Sequence, residues 1–185
     1  MSSADAELSI ASRLCLACGM CCDGTVYGVA RLDREEIPKA VARGFRPCTA
    51  PNGSDAFDFP CSHLDGKACT IYDQWRPQVC GDYFCALQDR VKANEMTEAQ
   101  ALETIAATLK SRDQLREVLP PDETLAQARQ RFETVVKSGG TLDPQDARTA
   151  VKLFVLEKML DRHFRKSGEE RLRETARGAP AISRQ

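Results

Sequence analysis

A chain of 185 residues is long enough for one domain of ordinary size, or for a small metal-stapled domain joined to a helical one. Its 42% hydrophobic and 29% charged content is that of a globular protein, and a formal net charge of -1 gives no reason for generic nucleic-acid binding. Residues 1–92 hold 10 basic and 12 acidic side chains and residues 93–185 hold 16 and 15, so neither half is a basic arm.

Residues 1–14 read as a short tail or frayed helix. Their polar, acidic start lacks the basic segment and apolar run of a secretory signal, and no apolar stretch of the chain approaches membrane-spanning length. A cytoplasmic protein without membrane partners is expected. Thiols stay reduced there, so nine cysteines point to metal or catalysis more than to disulfides. Core-filling cysteines would not favour one half of the chain, yet all nine lie between residues 15 and 85.

The densest group is Cys15-Leu-Ala-Cys18-Gly19-Met-Cys21-Cys22. Two thiols three apart suit one metal, and Gly19 permits a positive φ that turns backbone amides towards sulfur. Side chains of neighbouring residues diverge, so Cys21 and Cys22 fit two metal atoms, or a multi-iron cluster, better than one zinc ion. A short strand is predicted over 25–32. Asp33 and Glu36 then form a capping box, Pro38 limits or kinks the helix, and Gly44 suits its end. Residues 45–60 carry Pro47, Pro51, Asn52-Gly53 and Pro60 and read as a loop excursion anchored by Phe45, Phe57 and Phe59.

The chain then returns to cysteine. Asp65-Gly66 predicts a turn before a strand over 68–72, so Cys61 and Cys69 face one another across a hairpin-like bend. Arg76-Pro77 redirects the chain, and Cys80 and Cys85 follow on a turn or short helix. Eight of the eleven aromatic residues lie between Tyr27 and Phe84 and are expected to wall the metal from water.

Beyond residue 90 three helices are predicted, over 97–119, 122–138 and 143–167. The expected core faces are Leu102, Ile105, Ala106 and Leu109, then Leu125, Ala128, Phe132 and Val135, then Ala147, Val151, Phe154 and Val155. Ser111-Arg112-Asp113 can split the first helix, Gly139-Gly140 ends the second, and Asp143-Pro144 caps the third. A basic stretch over 162–177 reads as a solvated helix end. The expected architecture is a small α+β protein. An irregular cysteine-rich metal-binding domain with short strands occupies residues 1–92, and an antiparallel helical bundle over 93–185 packs on it.

Thiolates suit zinc, iron or an iron-sulfur cluster. The gaps of Cys61-x7-Cys69 and Cys80-x4-Cys85 do not repeat the close pair of a zinc ribbon, and the first group departs from the bacterial ferredoxin run. Cys15-x-x-Cys18-x-x-Cys21-Cys22, with Cys61, Cys69-x-Ile71-Tyr72, Arg76-Pro77-x-x-Cys80 and Cys85, resembles the YkgJ-like cysteine-cluster family of zinc- or iron-chelating domains over about residues 15–88. Three residues separate Tyr72 from Arg76 where the family pattern has two, and Gly81 stands where a basic residue is common. The resemblance extends to the cysteine motif of flagellin lysine methylases, which implies an iron-sulfur cluster or a methyl-transfer context.

Eight ligands are implied: Cys15, Cys18, Cys21, Cys22, Cys61, Cys69, Cys80 and Cys85. Cys48 lies outside the pattern. His63 reads as packing or surface, His163 as exposed, and Arg76 as structural, paired with an acidic partner such as Asp73 or Asp82, or as a counter-charge to thiolate. Asp23, Asp82 and Tyr83 read as caps more than proton carriers. With no Gly-rich phosphate loop and no methyl-donor fold, a self-sufficient methyltransferase is not expected, and no catalytic residue is assigned. Two functions stand: an iron-sulfur protein with an electron-transfer or redox role, or a structural zinc module whose helices bind a protein partner.

Overall fold

The computed structural model describes residues 8–166. The opening tail over 1–7 and most of the basic stretch over 162–177 lie outside the described residues. Helix α1 (Ile10–Cys18) is capped by Ser9, whose hydroxyl accepts from the Ser12 N–H, and ends at Gly19 with a left-handed φ of 66°. The Gly19 N–H returns to the Cys15 carbonyl at 3.0 Å. A side chain at Gly19 would meet the Lys67 backbone at 3.0 Å, so this glycine both turns the chain and admits a neighbouring loop.

Strands β1 (Val29–Arg31), β2 (Pro47–Thr49) and β3 (Asp55–Asp58) form an antiparallel sheet in the order β1-β3-β2. The strand predicted over 25–32 shortens because the carbonyls of Thr25 and Val26 are taken by arginine side chains instead of a neighbouring strand. The stretch 45–60, expected as a loop, is a hairpin whose second strand is the centre of the sheet. Pro47 is tolerated because it opens an edge strand, and Asn52-Gly53 supplies the turn with φ 83° at Gly53. The Asp33–Glu36 capping box forms as predicted, but it heads a single 3₁₀ turn before helix α2 (Ile37–Ala42). Pro38 sits in the first turn of α2, where its missing N–H costs nothing.

A second hairpin pairs β4 (Leu64–Asp65) with β5 (Ala68–Cys69), and two short helices follow, α3 (Gln78–Asp82) and α4 (Ala86–Lys92). Three longer helices complete the fold: α5 (Glu98–Arg116), α6 (Leu125–Ser138) and α7 (Pro144–His163). The first is not split at 111–113. The second begins later than predicted, because Thr124 and Gln127 form the capping box there. Asp143 and Pro144 cap α7 as read from sequence.

The helix faces match the sequence reading only in part. Ile105 and Leu109 are buried, but Leu102 and Ala106 of α5 are exposed. Leu125, Ala128 and Phe132 are buried and Val135 is half-buried. The face of α7 is a correction: Thr149, Leu153, Leu156 and Leu160 point inward, while Val151, Phe154 and Val155 are exposed and Ala147 is half-buried. Both sets recur at helical spacing, so periodicity alone did not separate them.

The chain is thus a small α+β protein with two apolar cores among the described residues. The larger unites Leu14, Met20, Val26 and Leu87 with the inner faces of α5, α6 and α7. The smaller holds Leu32, Ala40, Phe45, Phe57 and Ile71 beneath the sheet. Phe45, Phe57 and Phe59 therefore build a core of their own, with Phe45 and Phe57 edge-to-face at 5.0 Å, instead of simply screening the cysteines.

Candidate metal centre

The cysteines lie along the seam between the two cores. Cys18, Cys21 and Cys85 pack against the larger core, and Cys61 and Cys69 against the smaller. Cys15 and Cys18 share a face of α1 one turn apart. The chain turns after Gly19 and delivers Cys21 and Cys22, where the Cys61 N–H donates to the Cys22 carbonyl at 2.7 Å. That bond ties the two cysteine groups together through their backbones. Cys69 ends β5 opposite Leu64, so it is Leu64, not Cys61, that faces it in the hairpin; Cys61 lies three residues upstream. Cys80 lies within α3 and Cys85 caps α4.

Side-chain bonds fix these pieces. The Glu36 carboxylate accepts from the Asp33 N–H and, at 2.8 Å, from the Gln78 N–H that opens α3. Tyr72 donates to the Ser12 hydroxyl of α1 at 2.7 Å. Gln88 accepts from the Cys85 N–H at 2.9 Å and donates to the Ala11 carbonyl at 2.8 Å, which locks α4 to α1.

The thiols feel one another's charge. Burial first, then Cys15, Cys61, Cys80 and Cys69, push the Cys22 thiol well above its usual range. Cys18 is pushed up to about 12 by burial and by Cys85, Cys15 and Asp23, against an opposing bond from the Met20 amide. Cys80 is likewise pushed up to about 12, by burial and by Cys61, Cys69 and Glu36, with the Arg76 guanidinium opposing. Cys21 is raised by burial and by Cys18, Cys85, Cys15 and Cys22. All eight cysteines of the motif thus occupy one electrostatic neighbourhood. Cys48, paired to Ala56 across the sheet, has Asp58 as its charged neighbour and no cysteine.

The donor set fits a thiophilic metal. Backbone amides already aim at three of the sulfurs: Met20 at Cys18, His63 at Cys61, and Leu87 and Gln88 at Cys85. Such bonds favour thiolate, the ligating form, whereas burial and mutual repulsion oppose it until a cation arrives. Arg76, stacked at 4.3 Å on the Tyr72 ring, adds a positive charge that lowers the cost of ionising Cys15 and Cys80. It forms no ion pair with Asp73 or Asp82 among the described residues. Among those residues, too, no group of three or more Cys, His, Asp or Glu side chains is drawn tightly enough to hold a metal ion as it stands.

The helices grip the turn that follows Cys22. Asp23 accepts from the Thr25 N–H at 2.8 Å and from Arg112 at 2.6 Å, with both ion-pair partners mostly shielded from water. Arg129 of α6 donates to the carbonyls of Gly24 and Thr25, and Arg165 to that of Val26 at 3.0 Å. Glu157 of α7 bridges the two arginines. The bonds of Arg129 and Arg165 to these carbonyls cross more than a hundred residues of chain, and no spacing rule could have found them.

His63 meets the Arg43 carbonyl at 2.7 Å and packs on Phe45. His163 is half-buried, not exposed, and its Nδ1 has no partner among the described residues. Asp82 accepts from Gln78 at 2.8 Å, and Tyr83 meets the Tyr27 hydroxyl at 3.0 Å in an edge-to-face pair.

Residues 14–101 match a family model, CxxCxxCC, described as a "putative zinc- or iron-chelating domain". No curated protein and no solved structure matches the chain. The matched span begins at Leu14, on the helix that carries Cys15, and runs beyond Cys85, so it contains both cysteine groups and the seam they share. Over residues 14–101 the chain is thus similar to the CxxCxxCC family of zinc- or iron-chelating cysteine-cluster domains.

Proposed function

We propose that this metal-chelating protein holds an iron-sulfur cluster, with Cys15, Cys18, Cys21, Cys22, Cys61, Cys69, Cys80 and Cys85 as the thiols that supply and surround its ligands. One observation carries the reading: eight thiols share one electrostatic neighbourhood, twice the four that a single structural zinc ion takes. A bound cluster would supply one-electron chemistry, and the role proposed is electron transfer or a related redox step. The chain's own contribution is to desolvate the thiols at the seam, to aim the Met20, His63, Leu87 and Gln88 amides at sulfur, and to place Arg76 against the accumulated negative charge.

A second reading, a structural zinc module that binds a protein partner, is favoured by the exposed apolar side chains of α7. Anaerobic purification separates the two. An iron-sulfur protein is brown, with iron and acid-labile sulfide in similar amounts. A colourless protein containing zinc and no sulfide would overturn the first reading in favour of the second.

A further inference from the structure

Helix α7 is turned inward by Thr149, Leu153, Leu156 and Leu160. At about 100° per residue, its opposite side carries Arg148, Val151, Val155, Lys158 and Arg162 in one stripe, with Phe154 beside it. Val151, Phe154 and Val155 are 63%, 61% and 47% exposed, so this apolar strip faces solvent. Arg148, Lys158 and Arg162 flank it at both ends and make no ion pair among the described residues; the Lys158 ammonium instead lies 5.3 Å from the Phe154 ring centroid. On α5 and α6 the arginines are tied to carboxylates: Arg112 and Arg116 to Asp23, Arg129 to Glu157, and Arg131 to Glu123 and Asp146. The outer face of α7 thus combines an apolar strip spaced like a core with cations left unneutralised.

We propose that this face is a docking site for a protein helix with apolar residues at i, i+3 and i+4 and a rim of Asp or Glu. A helix laid along α7 covers the Val151–Val155 strip while its carboxylates meet Arg148, Lys158 and Arg162. A second copy of this chain is the wrong occupant. Pairing α7 antiparallel with itself about Val155 sets Arg148 against Arg162 and Lys158 against Lys152, so cation faces cation along the contact. A membrane is also a poor match, since the apolar strip spans little more than one turn and carries neither the Trp nor the Tyr of an interfacial helix. The inference holds whichever metal the cysteine centre takes.

The test uses the full chain with a photo-crosslinking phenylalanine analogue in place of Val151, expressed in the cells that make the protein. The expected result is a crosslink to one protein, mapped by sequencing to an amphipathic helix with an acidic rim. A synthetic peptide of that helix should then bind the unsubstituted chain at least tenfold more tightly than Val155→Glu or Lys158→Glu, each of which should keep the native circular dichroism. A crosslink only to another copy of the chain, only to lipid, or to a segment without an acidic rim would overturn the proposal. So would the absence of any crosslink, or a mapped peptide that binds the variants equally.

Discussion

The amide of Cys61 donates to the carbonyl of Cys22 at 2.7 Å, a single backbone bond that joins two cysteine groups separated by a three-stranded sheet and a helix of intervening chain. It holds the chain so that Cys22 shares its neighbourhood with Cys61, Cys69 and Cys80 as well as with Cys15. The cysteines that this junction gathers should be separable from the one it leaves out. Cys48→Ser is expected to leave metal content unchanged, while Cys18→Ser and Cys80→Ser each lower it, as measured by metal analysis of the purified variants. Loss of metal in Cys48→Ser with retention in Cys22→Ser would reverse the assignment.

Metal should also supply stability. Residues 15–92 contain only short strands and helices, and the core they do not share with α5–α7 is small; a structural metal in such a setting contributes on the order of 10 kcal/mol. We expect chelation to expose this region to protease while part of the helical signal of α5–α7 survives. Limited proteolysis and far-ultraviolet circular dichroism, read on the same chelated sample, follow both. Equal protection of residues 15–92 before and after confirmed metal loss would sink the idea, and loss of all helicity in one step would show that the metal centre organises the whole chain.

The pH dependence has a definite sign. Burial and neighbouring thiols raise Cys18 from 9.0 to about 12 and raise Cys21, Cys22 and Cys80 in the same direction. Metal binding must displace those thiol protons, so metal affinity should rise with pH through neutrality. Competition with a chelator of known affinity at pH 6.5 and pH 8.5 tests this; an equal or lower affinity at pH 8.5 would contradict it.

Removing Asp23 should loosen the turn after Cys22. Asp23→Ala strips Arg112 of a shielded partner at 2.6 Å and the Thr25 N–H of its acceptor, a loss on the order of 3 kcal/mol. Arg112→Met, which removes the cation and keeps bulk, should cost less than Asp23→Ala. Denaturant melts of the two single variants and the double variant measure the coupling, and additive effects would show that the pair is not coupled.

The corrected face of α7 gives a contrast within one helix. Leu156 is fully buried, so Leu156→Ala should cost about 2–5 kcal/mol, whereas Phe154→Ser at an exposed position should stay within about 0.5 kcal/mol. A larger loss for Phe154→Ser would restore the face first read from the sequence.

Local chemistry was legible where a few adjacent residues decide the outcome. The Asp33–Glu36 box, the Asp143-Pro144 start of α7, the positive φ of Gly19 and the turn at Gly66 all follow from neighbours in sequence. What failed depended on distant partners. The 45–60 hairpin looked like loop because its prolines mask strands of three and four residues that only pairing stabilises. The inner face of α7 was misread because the outer face is also apolar at helical spacing. The grip of Arg129 and Arg165 on the carbonyls of residues 24–26 had no local signal at all.

Thiol alkylation followed by mass spectrometry tests most directly the claim that eight of the nine cysteines gather around metal. Cys15 is exposed at the surface, so burial alone does not protect it. In the native, metal-loaded protein Cys48 should be labelled rapidly while Cys15 and the other seven resist, and removing the metal, which opens residues 15–92, should make all eight react. Labelling of Cys15 at the rate of Cys48 in metal-loaded protein, or no change in the eight on metal removal, would contradict the account.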